Sequence, residues 1–112
     1  GKGPAITQMN FHGRGTLGGI IPNPKLRRFI ELVAEDLKLP YQREVIVGVI
    51  TDDSFTQMTG TEGVAMGHIS VPLRYTHSPI ETADLRDIEA CSKLLNEIVK
   101  RFNKQINIDR GL

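Results

Sequence analysis

The feature that most constrains the fold is an apolar, mostly β-branched run near the middle of the chain, from Val45 to Ile50. A half-buried strand alternates apolar and polar side chains, whereas a continuous apolar run is typical of a strand covered on both faces. The run therefore predicts a central strand, parallel to its neighbours, in a sheet that helices cover.

Two amphipathic helices are predicted, one before and one after this strand. The first begins at Asn23-Pro24, because asparagine caps a helix and proline loses no hydrogen bond in the first turn. The second begins at Asp84, whose carboxylate suits a helix start. Each pattern places apolar residues three or four positions apart, which forms one buried stripe per helix. The stripes are Leu26, Phe29, Ile30, Val33 and Leu37 in the first helix, and Ile88, Cys91, Leu95, Ile98 and Phe102 in the second, where Leu94 and Val99 widen the stripe.

Further elements complete an alternating order. Residues 4–9 form a short predicted strand, 54–59 a short helix, and 63–72 a longer strand. Strand, helix, strand, short helix, strand and helix follow one another, which predicts an α/β fold. We expect a partial three-layer sandwich with helices over a mainly parallel or mixed sheet. A glycine-rich loop follows the first strand, and a polar tail follows the last helix from Asn107.

Composition agrees with one globular unit and excludes several classes of protein. The 112 residues include 39% hydrophobic and 24% charged side chains and carry a net charge of +1, so neither a disordered tail nor a nucleic-acid binder is expected. No apolar run approaches the roughly 18 residues that span a membrane. The single cysteine, Cys91, excludes an internal disulfide and fits a reducing, cytoplasmic compartment.

The polar stretch from Pro72 to Glu81 is the first candidate site. It brings together a cation, a phenol, an imidazole and a carboxylate between two rigid elements, and prolines stiffen its backbone. The imidazole of His77 suits a divalent metal or an acid/base role, although a surface histidine that caps a carbonyl is the alternative. One histidine is not a metal site, because zinc needs three or four ligands. The four side chains are Arg74, Tyr75, His77 and Glu81.

Other polar residues are weaker candidates. The glycines at positions 13, 15, 18 and 19 lack the spacing of a phosphate-binding loop, so they predict a flexible connection. We interpret His12 as a loop residue and His68 as a hydrogen-bonded structural residue of a strand. Asp52 and Asp53 follow the central strand, where helix capping explains them as well as a functional role does.

Several motifs resemble the glutamyl and deblocking aminopeptidases that assemble into tetrahedral TET particles, a family in which some members are labelled endoglucanases. Arg-Tyr-Thr-His-Ser-Pro-Ile-Glu at positions 74–81, followed by Asp-Leu-Arg-Asp-Ile at 84–88, is similar to the family's C-terminal signature. The opening Gly-Lys-Gly-Pro-Ala-Ile resembles its Gly-x-Gly-Pro-x-Ile strand. Pro40-Tyr41-Gln42, Thr51-Asp52 and Gly63-Val64 follow in the family's order, so the likeness runs from Gly1 to about Phe102.

This resemblance implies a two-metal exopeptidase that uses zinc or cobalt, acts on peptide substrates and forms a homo-oligomer. His77 matches the metal-binding histidine of the motif. The same likeness makes Asp52 a candidate to orient His77 or line the substrate pocket, and Arg74, Tyr75 and Glu81 candidates to order the loop. Asp53 departs from the family, which commonly has a small residue there.

The remaining metal ligands and the general base of the family precede its Gly-x-Gly-Pro strand. We therefore expect residues 1–112 to be the C-terminal part of a catalytic domain, with no catalytic residue of their own and no activity alone. Two alternatives stay open. One is a non-catalytic α/β module for assembly or docking, and the other is a glucanase, although no residue pair here suggests the two carboxyls that a glycosidase needs.

Overall fold

The computed structural model of the chain describes residues 1–12 and 18–106. The glycine-rich loop, in large part, and the polar tail predicted above lie outside the described residues. The described part is an α/β fold, as predicted. Its elements are β1 (Ala5–Phe11), β2 (Gly19–Ile20), α1 (Pro24–Asp36), β3 (Gln42–Val47), α2 (Asp53–Thr56), β4 (Ile69–Ser70), β5 (Leu73–Arg74), β6 (Thr82–Ala83) and α3 (Leu85–Gln105).

Strand β1 is the centre of a mixed four-stranded sheet. β3 runs parallel to it along one edge, from the pair Ala5 and Gln42 to the pair Phe11 and Val47. The opposite edge is shared by two antiparallel strands, because β4 pairs with the beginning of β1 and β2 pairs with its end. Strands β5 and β6 form a separate antiparallel hairpin. The chain that leaves β4 therefore lies near the start of β1, and the chain that leaves β3 lies near its end.

The prediction for the Val45–Ile50 run is right in one respect and wrong in another. β3 is parallel to β1, as expected, but it lies at the edge of the described sheet and one of its faces is uncovered. Val45 is 60% exposed and Val47 is 72% exposed. The strand ends at Val47 because Gly48 takes a left-handed φ of 99° and donates its N–H to Phe11, at 2.7 Å.

The long strand predicted at residues 63–72 is also wrong, because β4 contains only two residues. The residues just before β4 form no strand, because their carbonyl groups accept from two different elements. Met66 accepts the N–H of Asn23 at 2.8 Å, and His68 accepts that of Thr7 at 3.1 Å. Close packing adds a second reason, since a Cβ at Gly67 would stand 2.7 Å from the side chain of Ile30. This segment therefore bridges α1 and the sheet instead of extending the strand.

Both predicted helix starts are confirmed by their caps. Asn23 Oδ1 accepts the N–H groups of Lys25 and Leu26, at 3.0 and 3.1 Å. Asp84 Oδ1 accepts the N–H of Arg86 at 2.9 Å. Both helices pack against β1 around one core cluster, which consists of Ile6, Leu26, Phe29, Ile30, Val33, Ala34, Leu94 and Ile98.

The buried stripe of α3 agrees with the predicted one in part. Leu94 and Ile98 are buried as predicted, whereas Ile88, Leu95 and Val99 are exposed and Ala90 is buried instead. At the helix start, the buried carboxylate of Asp87 accepts the N–H of Gly3 at 2.8 Å. This bond holds the first turn of α3 against the beginning of β1. Across residues 1–12 and 18–106, no helix is long and apolar enough to cross a membrane.

Candidate functional site

The candidate stretch from the sequence forms the β5–β6 hairpin. Leu73 pairs with Ala83 and Arg74 with Thr82, so residues 75–81 make the connecting turn. Every residue of this turn is exposed. The hairpin follows β4 and therefore projects beyond the end of the sheet where β1 begins.

The turn holds two residues other than glycine in a left-handed conformation. Tyr75 and His77 both have φ of 63°, which costs on the order of 1–3 kcal/mol for each residue and persists where surrounding contacts enforce it. Glu81 Oε1 accepts the N–H of His77 at 2.8 Å. Ser78 Oγ lies 2.5 Å from the carbonyl oxygen of Tyr75 and 2.7 Å from that of Ile80, so its hydrogen serves one or both. Strain of this kind is concentrated at functional sites.

The imidazole of His77 is presented on the outside of this turn. The carboxylate of Glu81 accepts the backbone N–H of His77, and His77 itself is exposed. Within the described part of the chain, no group of three or more histidine, cysteine, aspartate or glutamate side chains could hold a metal ion. The described neighbours of His77 therefore do not complete a metal centre around it. Arg74 lies in β5 next to the turn, and Tyr75 opens the turn with an exposed side chain.

The structure does not bring Asp52 to His77. Asp52 follows β3, at the end of the sheet where β1 finishes, and the neighbouring Thr51 Oγ1 accepts from Asn10 at 3.1 Å. His77 follows β4, which runs in the opposite direction. The capping interpretation is not supported either, since Asp52 stands at the N-cap position of α2 without a capping hydrogen bond to the described backbone.

A polar cluster that sequence reasoning did not identify lies along β4. The side chain of Asp53, at the start of α2, contacts His68 Nδ1. His68 Nε2 lies 2.9 Å from Ser70 Oγ. Ser70 Oγ and Thr7 Oγ1 then donate to the same oxygen of Glu44, at 3.1 and 2.7 Å. The cluster joins α2, β4, β3 and β1. His68 and Ser70 are two residues apart, so side chains that alternate along an extended segment place them on the same face. The contact with Asp53 depends on tertiary structure.

The electrostatics of this cluster favour an ionised aspartate. Burial opposes the charge of Asp53, but hydrogen bonds from Thr51 and His68 outweigh it and lower the pKa of the carboxyl group. The order aspartate, histidine, serine resembles a nucleophilic triad, but the hydroxyl of Ser70 donates to Glu44 and is not a free nucleophile. We therefore interpret the cluster as structural, as predicted for His68.

Removing the imidazole of His68 is expected to destabilise the fold. In His68→Ala, Asp53 and Ser70 each lose a partly buried partner, and such a loss costs about 1–3 kcal/mol. Urea unfolding followed by circular dichroism measures the change. Thr76→Ala is the control, since its exposed side chain should change the free energy of unfolding by less than about 0.5 kcal/mol. Equal effects of the two substitutions would contradict a structural role for His68.

Comparison with solved structures shows which class of protein has this fold. A TET aminopeptidase from the marine sediment archaeon Thaumarchaeota archaeon SCGC AB-539-E09 is similar with a TM-score of 0.80 and 30% identity, over 90% of this chain and 26% of that one. An aminopeptidase from Desulfurococcus kamchatkensis is similar with a TM-score of 0.77 and 42% identity, over 96% of this chain and 28% of that one. The described fold is therefore that of a segment of a TET-type aminopeptidase.

Comparisons of sequence agree with the structural ones. SgcX of Escherichia coli (strain K12) is 45% identical over 97 residues, which are 87% of this chain and 26% of that protein. The lysyl aminopeptidase of Pyrococcus furiosus is 34% identical over 103 residues, which are 90% of this chain and 29% of that protein. The family model of the M42 glutamyl aminopeptidases matches residues 1–94.

The chain thus belongs to the M42 glutamyl aminopeptidase family. It spans between a quarter and a third of the length of the relatives and structures described above.

Proposed function

We propose that the whole protein is a metal-dependent aminopeptidase that removes N-terminal residues from peptides. This chain would form the C-terminal part of its catalytic domain. The observation that carries the proposal is the strained, exposed turn around His77 in a chain of the M42 family. The names of its relatives support it, since one is a lysyl aminopeptidase and a similar structure is a TET aminopeptidase.

His77 is the residue that we assign to a metal ion. Its left-handed backbone and the bond from its N–H to Glu81 hold this exposed residue in the turn of the hairpin. Two divalent ions, zinc or cobalt, would polarise the scissile carbonyl and activate a water molecule when bound. The other ligands and the general base would come from parts of the protein outside this chain.

Arg74, Tyr75 and Glu81 are proposed to order the turn and border the substrate site. Support for this role comes from Glu81, whose carboxylate accepts the backbone N–H of His77 within the turn. For Asp52 we propose only the other expected role, a residue that lines the substrate pocket, because it follows β3 and not the strand that precedes the His77 turn.

We also propose a homo-oligomeric assembly. A similar structure, PhTET1-12s, was solved as a dodecamer, with a TM-score of 0.68 and 27% identity over 88% of this chain and 27% of that one. A cytoplasmic location stays a prediction.

Assays of the whole protein test the proposal directly. We expect hydrolysis of aminoacyl p-nitroanilides and release of single residues from the amino end of unblocked peptides. A chelator should abolish this activity, and zinc or cobalt should restore it. Activity that survives complete removal of metal would contradict the metal-dependent assignment.

Two other functions have an observation in their favour. A module for assembly or docking is favoured by the uncovered valines of β3, Val45 and Val47. A glucanase is favoured by the name of a similar structure, an endoglucanase from Thermotoga maritima, with a TM-score of 0.57 and 34% identity over 88% of this chain and 25% of that one. We expect no release of sugar from carboxymethylcellulose. Absence of peptidase activity in a protein with full metal content would favour the module.

A further inference from the structure

The polar cluster along β4 has more acceptors than a neutral imidazole can satisfy. Its two ends, Asp53 and Glu44, are carboxylates, which only accept hydrogen bonds when ionised. A hydroxyl has one hydrogen, and Ser70 donates its hydrogen to Glu44 Oε1 at 3.1 Å. The ring of His68 lies between Ser70 and Asp53, with Nε2 2.9 Å from Ser70 Oγ and Nδ1 in contact with the carboxylate. Each ring nitrogen therefore faces an oxygen that needs a donor.

The protonated ring satisfies every one of these contacts. An imidazolium carries a hydrogen on each nitrogen, so it donates to Asp53 and to Ser70 while Ser70 keeps its bond to Glu44. A neutral ring has one hydrogen. If that hydrogen stays on Nδ1, Ser70 must turn its own hydrogen towards Nε2, and Glu44 keeps Thr7 but loses its second donor. Loss of a ring proton therefore removes one hydrogen bond from the cluster.

The charges around the ring favour the same form. Asp53 from α2 and Glu44 from β3 are acidic, and in the part of the chain that the structure describes no lysine or arginine pairs with either of them. From β1 the cluster receives the neutral Thr7. From α3 it receives Cys91, and burial raises the pKa of this thiol, so it is uncharged near neutral pH. The side chain of His68 is only 16% exposed, so water screens its contact with Asp53 in part.

This ring joins a short helix to the sheet. α2 has four residues, too few to be stable without tertiary contacts. The main chain of His68 is fixed to β1, because its carbonyl oxygen accepts the N–H of Thr7 at 3.1 Å. Its side chain contacts Asp53 in the first turn of α2. A change in the charge of the ring therefore acts directly on the attachment of α2.

We propose that His68 is an imidazolium at neutral pH and forms a pH-sensitive link between the sheet and α2. The link is complete when both ring nitrogens carry a hydrogen. A histidine in water loses its second proton at about pH 6.5, so the protein with the link complete binds one proton more than the protein with α2 detached. Attachment of α2 is therefore strongest at low pH and weakens as the pH rises. The link is independent of the proposed aminopeptidase function, because it shares no residue with the His77 turn.

NMR of the whole protein with ¹⁵N-labelled histidine tests the charge of the ring. At neutral pH, both ring nitrogens of His68 should give the signals of protonated nitrogens, since an imidazolium donates from both. The signals are assigned by their absence from the spectrum of His68→Asn. One protonated and one unprotonated ring nitrogen at neutral pH would overturn the proposal.

Hydrogen exchange followed by mass spectrometry tests the attachment of α2. The N–H groups of Phe55 and Gln57 are bonded to carbonyl groups within this turn, at 3.0 and 3.1 Å. Their protection, normalised to an unstructured peptide at each pH, should fall about tenfold between pH 6 and pH 9, the effect of losing one hydrogen bond to a charged group. The N–H of Leu37 at the end of α1 is the internal control and should keep its protection. Constant protection of α2 over this range would refute the link.

His68→Asn separates the charge of the ring from its contact with Asp53. The amide nitrogen of asparagine is as many bonds from the backbone as Nδ1 is, so it can still donate to Asp53, but it does not titrate. Protection of α2 in this variant should be independent of pH. A tenfold fall would show that another group causes the pH dependence, against the assignment to His68.

Ser70→Ala covers the case in which His68→Asn does not fold. Without the hydroxyl, the charged ring loses its contact at Nε2 and keeps the one with Asp53. The fall in protection of α2 should therefore shrink to less than about threefold. A fall as large as that of the parent protein would contradict the proposed link.

Discussion

Replacing His77 with alanine in the whole protein is expected to lower aminopeptidase activity at least about 100-fold. Loss of a partner that only orients a metal ligand costs about 10–100-fold, and loss of a ligand should cost at least the upper end of that range. The fold should be kept, because the turn is exposed and the bond from the His77 N–H to Glu81 does not involve the imidazole. Activity on aminoacyl substrates and the metal content of the purified protein are the two measurements.

Thr76→Ala is the matched control for this substitution. Thr76 is the exposed neighbour of His77 in the same turn, so its substitution should leave both metal content and activity close to those of the parent protein. If His77→Ala keeps the full content of divalent metal, His77 is not a ligand. The assignment would then fail even if activity fell for another reason.

Replacing Leu94 with alanine is expected to cost about 2–5 kcal/mol of the free energy of unfolding. The side chain of Leu94 is 0% exposed and belongs to the core cluster that joins α3 to Ile6 and to α1. Removing it leaves a cavity that the packed neighbours fill incompletely, so the apolar contacts and the transfer free energy are both lost. Urea unfolding of the variant and the parent protein measures the difference.

Leu95→Ala is a closely matched control, since it removes the same atoms from the next position of the same helix. Leu95 is 57% exposed, and its substitution should change stability by no more than about 0.5 kcal/mol. The pair also tests the packing of α3, because the sequence pattern placed both Leu94 and Leu95 on the apolar stripe and the structure buries only Leu94 of the two. A larger loss for Leu95→Ala than for Leu94→Ala would contradict that packing.

Local chemistry explains which parts of the fold were predictable. Asn23 and Asp84 start their helices because their side chains accept N–H groups two or three residues ahead. The side-chain oxygen that caps a helix belongs to a residue next to that helix in sequence, so the sequence is sufficient to identify the cap. The parallel direction of β3 was also predictable, because a helix connects it to β1.

The errors concern contacts between distant segments. The apolar run of β3 predicts burial on both faces, but Val45 and Val47 are exposed because the described chain supplies no cover for that face. The first turn of α3 is held by a bond between Asp87 and Gly3, which are far apart in sequence. The spacing of apolar residues within one helix gives no information about a bond to a distant segment.

The candidate site shows the same division. The motif around His77 was recognisable from the sequence, and the structure places it in an exposed turn. The left-handed backbone of Tyr75 and His77 was not predictable, since residues other than glycine seldom adopt it. Asp52 and His77 both follow strands, but the opposite directions of β3 and β4 separate them.

Taken alone, the sequence determined the order of the main strands and helices, the starts of both long helices and the family to which the residues around His77 point. Each of these depends on side chains close together along the chain. Only the tertiary structure decided which residues of the α3 stripe are buried, that strands β2, β5 and β6 form, that Asp53 meets His68, and at which end of the sheet each candidate residue lies. These outcomes depend on strand direction and on packing between remote segments, where one hydrogen bond or one glycine in close contact selects among arrangements that local preferences leave equal.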